Sequence, residues 1–351
     1  MSIQLGIHAP YTWDESTYMA TGLMELASQL NLPLSYLSSQ AHDRNVHFRW
    51  DHEIRSGKRH GFKGWAGLNS HIMWFDVQPK KVEESRKIGC RNILVAMHAR
   101  LEPTDLANLP LYDKVVCPTD QCYQALRQRC AVSDKLLTHV PWDSGMPLTT
   151  KRRNPGDPLV LFVPVDSFTA QFEGSLLCYT LRVLMDGDPN LQVVLSYTSN
   201  WTRASLGALH DLQDRFKGQL TTLRKPTFCD RLEAYRKADW VLHLGIEGNA
   251  AMTALESVAL GVPVIAFNVP PNREIIRAFY NGYLIECGAE DTRAGSVRVS
   301  VNSRRLLDSL TDLLANDNAV RAMQGKEWPE LETRRRNFQA FWKKLWGYEE
   351  V

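Results

Sequence analysis

Short apolar runs recur along this chain, and each is followed by enough residues to form a helix. The runs at 92–97 and 114–117 alternate with helical patterns, and the alternation begins again at 158–165. Neighbouring parallel strands need a crossover connection, which is usually a helix. The pattern therefore predicts an α/β fold in which two doubly wound, Rossmann-like sheets bind ligands at the carboxyl ends of their strands.

The length of 351 residues is about twice that of a common domain, which favours two domains. Residues 142–157 combine Pro, Gly and a basic cluster without an apolar period, as a linker does. We predict an N-terminal domain at 1–145, a linker at 146–156 and a C-terminal domain at 157–330. The last segment, 331–351, is predicted to be a helix that packs across both domains. Its aromatic stripe at 338–346 is typical of a buried helix face, although a membrane-surface helix is the alternative.

Composition excludes several classes of protein. The net charge is only +2, so attraction to a polyanion has to come from local clusters of basic residues. The seven cysteines include no CxxC pair, which favours reduced thiols in a cytoplasmic protein. The sequence predicts neither a signal peptide nor a membrane span. Asp186-Gly187-Asp188 precedes Pro189 and is interpreted as a turn, so no metal is predicted.

Residues 232–276 are the most informative segment. A buried strand at 240–244 leads into a turn at 245–249, and a helix of small residues follows. Helix N-termini favour phosphate, and the small residues Gly248, Asn249 and Ala250 would let a ligand approach the backbone. Glu256, about two turns into the helix, can accept two hydrogen bonds from a ribose diol.

This segment resembles family 4 and related retaining glycosyltransferases of the GT-B fold. The resemblance lies in a Leu-x-x-x-Tyr-x-x-Ala-Asp pattern, a Glu-Gly turn, a second Glu, a Gly-x-Pro-Val-Ile strand and a final Glu-Ile-Ile. The residues that match are Leu232, Tyr235, Ala238, Asp239, Glu247, Gly248, Glu256, Ala259, Gly261, Pro263, Val264, Ile265, Glu274, Ile275 and Ile276. The first half is similar to the same family at 92–98, 115–120 and 140–145.

The resemblance implies that the N-terminal domain, 1–145, binds the acceptor and that the C-terminal domain, 157–330, binds the nucleotide sugar. It also implies roles for three residues. Glu256 would hold the nucleotide ribose, Glu247 would lie near the donor sugar, and His98, at the end of a buried strand, would line the cleft. The reaction would proceed with retention and without a cofactor beyond the nucleotide-sugar donor, which we expect to be a UDP-sugar. The two carboxylates are nine positions apart here, whereas the family separates them by eight.

The chain also departs from the family in its diphosphate site. The family places an Arg and a Lys after the first strand of the C-terminal domain, but the corresponding loop here, which includes Ser167, has no basic residue. Either hydroxyl and backbone donors such as those of Ser167 replace the pair, or one of Arg224, Lys225 and Arg273 supplies the charge. Arg273 is the preferred substitute.

The segment 42–65 interleaves basic and aromatic residues and is longer than an ordinary connection. Basic groups pair with phosphates, and Trp and Arg planes stack on bases. The predicted acceptor-binding residues are Tyr11, Trp13, Asp14, Arg49, Trp50, Arg55, Lys58, Arg59 and Lys63.

The acceptor remains open at this point. The leading hypothesis is a hydroxymethylated pyrimidine in double-stranded or locally opened DNA, as for phage base glucosyltransferases of the same fold, which would place the protein in a host cytoplasm. The alternatives are a glycan, lipopolysaccharide or lipid acceptor, or a small molecule. Two other classes also remain, namely a sugar-nucleotide epimerase and a non-catalytic nucleic-acid-binding relative.

Overall fold

The computed structural model describes residues 3–9, 15–38, 61–96, 101, 103–130, 136–149, 154, 156–165, 174–197, 203–224, 226–244, 251–288, 290–291, 298–324, 326 and 328–348. The chain forms two compact units. Unit 1 comprises Met1–Gly145 together with Pro329–Val351, and unit 2 comprises Met146–Trp328.

Unit 1 is built on a six-stranded sheet with the order β2-β1-β3-β4-β5-β6, in which every pair of neighbours is parallel. Its central strands β1, β3, β4 and β5 are almost entirely buried, as expected for a sheet covered on both faces. The strands are β1 (Leu5–Ala9), β2 (Leu34–Ser38), β3 (His71–Trp74), β4 (Arg91–Val95), β5 (Lys114–Cys117) and β6 (Leu137–His139).

Between these strands, the described residues form the helices α1 (Glu15–Gln29), α2 (Gly61–Ala66), α3 (Pro79–Lys87), α4 (Pro103–Asn108) and α5 (Asp120–Arg129), with a 3₁₀ turn at Leu109–Leu111. The Thr119 hydroxyl caps α5 by accepting a hydrogen bond from the Cys122 backbone N–H. The strand order reverses between β1 and β3, because β2 lies on one side of β1 and all later strands lie on the other. In doubly wound sheets, this reversal marks the position of ligand-binding crevices.

Unit 2 has a second six-stranded sheet with the order β12-β11-β10-β7-β8-β9, also parallel throughout. The order reverses between β7 and β10, because β8 and β9 lie on one side of β7 and the later strands lie on the other. The strands are β7 (Val160–Val165), β8 (Gln192–Tyr197), β9 (Leu220–Arg224), β10 (Trp240–His243), β11 (Val264–Phe267) and β12 (Gly282–Ile285).

The helices of unit 2 are α6 (Gly174–Gly187), α7 (Arg203–Arg215), α8 (Phe228–Lys237), α9 (Met252–Ala259), α10 (Pro270–Arg273), α11 (Ser303–Leu314) and α12 (Asp317–Met323). A short antiparallel pair, β13 (Glu290–Asp291) and β14 (Arg298–Val299), precedes α11.

One helix predicted from sequence, at 272–280, is wrong. The structure has only the single turn of α10, which ends at Arg273. The Asn281 side chain accepts a hydrogen bond from the Arg277 N–H and donates one to the Ile275 carbonyl, and Phe279 has a positive φ of 62°. These local bonds replace the helical ladder with a turn that leads into β12.

The last helix, α13 (Pro329–Trp346), belongs to unit 1. Phe338, Trp342 and Trp346 are buried, and the first two pack edge-on against Trp142. Arg335 is also engaged within unit 1, where it makes an ion pair with Asp143. The aromatic stripe is therefore a buried face, and packing of this helix across both domains stays a prediction. In the described part of the chain, no helix combines the length and apolar character that a membrane crossing requires.

Candidate nucleotide-sugar site

The reversal between β7 and β10 defines the candidate site in unit 2. β7 ends at Val165 and β10 at His243, so the residues after both strands emerge at the carboxyl edge of the sheet. Helix α9 follows β10 in sequence and packs against β10 and β11. The predicted residues Ser167, Glu247, Gly248, Asn249 and Ala250 lie in the two connecting segments, outside the described residues.

Helix α9 is buried on every face, since all eight of its residues are shielded from solvent. Its N-terminus is unusual because Ala251, in the N-cap position, has left-handed backbone angles of φ 47° and ψ 48°. Residues other than Gly, Asn and Asp rarely adopt this conformation, which costs free energy and often occurs at ligand sites. At the other end, Gly261 has a φ of 71° and terminates the helix, as the sequence predicted.

Glu256 lies in the interior of α9 and forms a buried charge cluster with two residues of α8. Its Oε2 accepts hydrogen bonds from Arg231 Nη2 at 2.5 Å and from the Tyr235 hydroxyl at 2.8 Å. Arg231 and Glu256 are 1% and 2% exposed, so the ion pair is shielded from solvent. An ion pair in such a place needs its partners, since removing one leaves a buried charge.

Helix α8 holds both partners of Glu256. Arg231 and Tyr235 are four residues apart and therefore lie on the same face of the helix. The start of α8 is fixed by a capping box, in which Thr227 accepts from the Asp230 N–H and Asp230 accepts from the Thr227 N–H. The Tyr235 ring packs edge-on against Phe162 of β7, with ring centroids 4.9 Å apart. Arg231 was not among the residues predicted from sequence. Its spacing of four residues from Tyr235 places both on one helix face and could have indicated it.

Asp239, the last residue of the Tyr-x-x-Ala-Asp match, has a structural role. Its Oδ2 accepts a hydrogen bond from the Val160 N–H at 2.9 Å, and its Oδ1 accepts one from Gln324 Nε2 at 3.3 Å. The carboxylate therefore joins the beginnings of β7 and β10 to the end of α12. This arrangement holds in register the two strands between which the sheet order reverses.

The basic residues predicted to neutralise a diphosphate have different surroundings. Arg273 follows β11 and is bonded to Asn268, where its Nε donates to Oδ1 at 2.5 Å and its Nη2 donates to the carbonyl at 2.7 Å. Asn268 also donates to Glu286, which follows β12. Arg224 is exposed at the end of the edge strand β9, and Lys225 lies outside the described residues.

His243 is a further residue at this edge that the sequence analysis missed. It is the last residue of β10 and immediately precedes the segment that leads to the predicted turn. Burial lowers its pKa to about 4, so the imidazole is neutral near pH 7. Its Nε2 atom is buried and has no hydrogen-bond partner among the described residues. The available signal was a histidine at the end of an otherwise apolar strand.

Most predicted residues of the N-terminal site lie outside the described residues, and Lys63 is the exception. It is exposed on α2, whereas Trp65 of the same segment is buried in the core of unit 1. Trp65 packs against His8 and Phe62, so it is not available to stack on a base. The predicted residues outside the described ranges are Tyr11, Trp13, Asp14, Arg49, Trp50, Arg55, Lys58, Arg59 and His98.

No group of three or more metal-binding side chains occurs among the described residues. Asp186 is paired with Arg215, and Asp188 accepts a hydrogen bond from the Asn190 N–H. Both aspartates lie where α6 turns towards β8, at the edge of the sheet opposite the candidate site.

Comparison with known proteins supports the same fold. Residues 228–312, roughly a quarter of the chain, match the family model described as "Glycosyl transferases group 1". This match covers α8, Arg231, Glu256 and the following strands up to α11. No curated protein is similar enough in sequence to count as a relative.

Several solved structures share the fold at low sequence identity. The pneumococcal O-GlcNAc transferase GtfA, in complex with UDP and GlcNAc, has a TM-score of 0.70 at 10% identity, covering 99% of this chain and 99% of its own. HepE of Anabaena, in complex with UDP and glucose, has a TM-score of 0.66 at 12% identity, covering 97% and 95%. A putative UDP-N-acetylglucosamine 2-epimerase from Listeria monocytogenes has a TM-score of 0.64 at 12% identity, covering 100% and 98%. The chain therefore has the GT-B fold, with two Rossmann-like units.

Proposed function

We propose that this protein is a glycosyltransferase that moves a sugar from a nucleoside-diphosphate sugar, a UDP-sugar, to an acceptor hydroxyl. The observation that carries this proposal is the buried Glu256 cluster on α9, within the residues that match the glycosyl transferase family model. Two solved structures of the same fold hold UDP together with a sugar. The donor would bind unit 2 at the reversal between β7 and β10, where doubly wound sheets bind nucleotides.

The proposed role of Glu256 is to accept hydrogen bonds from the ribose hydroxyls. Arg231 and Tyr235 both donate to Oε2, and so they orient the carboxylate. A preorganised carboxylate binds the diol without first having to be ordered. The diphosphate would lie at the N-terminus of α9, where the positive end of the helix dipole favours negative charge. Glu247 and His98 would act on the sugar, and transfer with retention is part of the proposal.

The proposed acceptor site lies in unit 1. Tyr11, Trp13 and Asp14 follow β1 in the sequence and the basic segment follows β2, and both strands end at the carboxyl edge of the sheet. The leading acceptor is a hydroxymethylated pyrimidine in DNA, and a cell-surface glycan is the alternative. Burial of Trp65 removes one of the aromatic residues that supported base stacking, although the basic residues at 44–59 retain their place in the hypothesis.

The first experiment is a titration of UDP and UDP-glucose by isothermal calorimetry. We expect the wild-type protein to bind, and Glu256→Gln to weaken binding by about tenfold or more, since hydrogen bonds to charged groups contribute about 1.5–3 kcal/mol. Glutamine keeps the shape of the side chain, whereas Glu256→Ala would also open a cavity. The matched control is Glu233→Gln, the same change at an exposed position of α8, which should bind as the wild type does.

Transfer is then measured by the mass of the acceptor after incubation with UDP- and GDP-sugars. The panel contains duplex DNA with cytosine, hydroxymethylcytosine or hydroxymethyluracil, together with oligosaccharide and lipopolysaccharide acceptors. A mass shift in one class identifies the acceptor. Conversion of the donor into an epimer without any acceptor would contradict transfer and favour an epimerase. Failure of the folded wild-type protein to bind any nucleotide would overturn the proposal.

A further inference from the structure

A cluster of four side chains lies on one face of the unit 1 sheet, near the carboxyl ends of β1 and β3. We call it the Lys81 cluster; its members are His8, Phe62, Trp74 and Lys81. Lys81 Nζ is 3.0 Å from His8 Nε2 and 5.9 Å from the centroid of the Phe62 ring. The Trp74 ring centroid is 4.8 Å from that of His8 and 6.0 Å from that of Phe62.

The protonation state of His8 follows from its surroundings. The side chain is fully buried, and burial together with the nearby Lys81 charge lowers the pKa of His8 to about 3. The imidazole is therefore neutral, and its Nε2 lone pair accepts a hydrogen bond from the ammonium group. Nδ1 then carries the proton, and this atom is buried without a hydrogen-bond partner in the described part of the chain. A neutral histidine orients the ammonium group but does not neutralise it.

No carboxylate in the described part of the chain forms an ion pair with Lys81. Its partners there are His8 and the ring of Phe62. Lys81 also lies in the first turn of α3, which has no acidic residue and no side-chain cap. A cation is unfavourable at a helix N-terminus, where the dipole is positive. A half-buried lysine, a helix N-terminus and aromatic rings thus lie together, and Lys81 forms no ion pair with a carboxylate of the described residues.

The position of this cluster in the fold is that of a ligand site. His8 is the fourth residue of β1, and its register partner Trp74 is the last residue of β3. The sheet order reverses between these two strands, and the carboxyl edge at a reversal is the usual binding position in doubly wound sheets. β1 and β2, which precede in sequence the segments predicted to bind the acceptor, both end at this edge.

We propose that Lys81 binds an anionic group of the acceptor, a phosphate or a carboxylate, and that His8 is its positioning residue. The ammonium group has three N–H donors, of which His8 uses one, so two are left for ligand oxygens. The identification of the ligand as the acceptor rests on the proposed function, whereas binding of an anion does not. This residue was not among those predicted from sequence, because isolated lysines are usually solvated surface groups.

The test compares Lys81→Gln with Lys80→Gln, the same change at the exposed neighbouring position. The probe is inorganic pyrophosphate, titrated by calorimetry in the presence of saturating UDP so that the proposed donor site is occupied. We expect Lys81→Gln to weaken binding by about tenfold or more and Lys80→Gln to change it by less than about twofold. Lys81→Arg should restore most of the affinity, because it keeps the charge.

Variants of His8 separate positioning from packing. His8→Gln keeps a hydrogen-bond acceptor for the Lys81 ammonium group, whereas His8→Leu removes it. His8→Gln should therefore bind pyrophosphate more tightly than His8→Leu. Circular dichroism and the melting temperature establish that each variant is folded. If Lys81→Gln is unstable, Lys81→Met replaces it, since methionine keeps most of the aliphatic stem. Equal affinities of the Lys81 and Lys80 variants, or no binding of pyrophosphate by the wild type, would overturn the proposal.

Kinetics then identify the anion as part of the acceptor. Lys81→Gln should raise KM for a phosphorylated or carboxylated acceptor and leave kcat and the affinity for UDP unchanged. An equal rise in KM for Lys80→Gln would contradict a role in acceptor binding. The two proposals fail in different ways. If the proposed function is wrong, the wild-type protein will not bind UDP. The affinities of the Lys81 and Lys80 variants for pyrophosphate can still be compared in the absence of UDP.

Discussion

Arg231 and Glu256 form an ion pair in which both side chains are almost fully buried, and the two residues come from helices on either side of β10 in the sequence. Tyr235 is the second donor to the same carboxylate oxygen. This arrangement gives Glu256 a structural role in addition to its proposed ribose contact. The two roles can be separated, because stability and nucleotide binding respond differently to substitution of the pair.

The first prediction concerns a double-mutant cycle of Arg231→Met and Glu256→Gln. Each single substitution should destabilise the protein by about 3–5 kcal/mol, because it leaves one charge buried without its counter-ion. The double variant should lose about 1–3 kcal/mol less than the sum of the two, since neither charge remains. The free energies of unfolding are measured by urea denaturation of each variant.

Nucleotide binding gives the control for this cycle. The double variant should regain stability without regaining affinity for UDP. Residue 256, which is proposed to accept the hydrogen bonds of the ribose, is still uncharged in that variant. Additive losses in stability would contradict the coupling of the two residues. A double variant that binds UDP as the wild type does would contradict the proposed role of Glu256.

The second prediction concerns the left-handed residue before α9. Ala251→Gly should change the free energy of unfolding by less than about 1 kcal/mol, because relief of the strained φ offsets both the removal of a buried methyl group and the greater freedom of glycine in the unfolded chain. Ala254→Gly, in the interior of the same helix, should destabilise by about 1 kcal/mol or more. Ala251→Val should cost more than either, since a β-branched side chain tolerates this conformation poorly. Equal effects of the two glycine substitutions in urea denaturation would show that Ala251 is not strained.

Much of the fold follows from the periodicity of the sequence. The apolar run at 114–117 is β5 with the predicted bounds, because a buried parallel strand is a short apolar run. The predicted strand at 220–224 is β9, a partly exposed edge strand with the predicted bounds. The aromatic stripe on α13 was also predicted as a buried face. The prediction of a helix at 272–280 was wrong because the side chain of Asn281 forms hydrogen bonds with the local backbone. Hydrophobic periodicity does not reveal such bonds.

The candidate site could be predicted only in part from the sequence. Glu256 stood out as a lone carboxylate in an apolar helix, but its pairing with Arg231 depends on how α8 and α9 pack. His8 and Lys81 are 73 positions apart, and they meet only because β1 and β3 are neighbours in the sheet. Such pairings follow from the order of the strands rather than from any local pattern.

The third prediction concerns the core of unit 1. Trp342→Ala should lower the free energy of unfolding by about 3–5 kcal/mol, because the indole packs against Trp142 and Phe338 and is fully buried. Trp342→Phe should cost less, since it keeps an aromatic ring and removes an indole N–H that has no hydrogen-bond partner among the described residues. Urea denaturation measures both values. An exposed stripe, as on a membrane-surface helix, would instead give small losses for both variants.

The last prediction concerns the pH dependence of stability. Burial lowers the pKa of His8 from 6.5 to about 3. Between these two values the unfolded chain binds a proton at His8 that the folded protein does not bind. The free energy of unfolding therefore falls as the pH falls from about 6.5 towards 3, by up to about 1.4 kcal/mol per pH unit for this group. His71 and His243, whose pKa values are each lowered to about 4, act in the same direction.

His8→Gln removes one of these groups while keeping an acceptor for Lys81. We expect its free energy of unfolding to decline less steeply with falling pH than that of the wild type. Between pH 6 and pH 5 the difference in slope should correspond to about one proton fewer taken up on unfolding. His210→Gln, at an exposed position of α7, is the control and should follow the wild-type slope. The measurement is a series of urea denaturation curves at pH values from about 7 to about 5. Parallel curves for His8→Gln and the wild type would mean that His8 titrates normally in the folded protein, which contradicts the neutral imidazole on which the geometry of Lys81 depends.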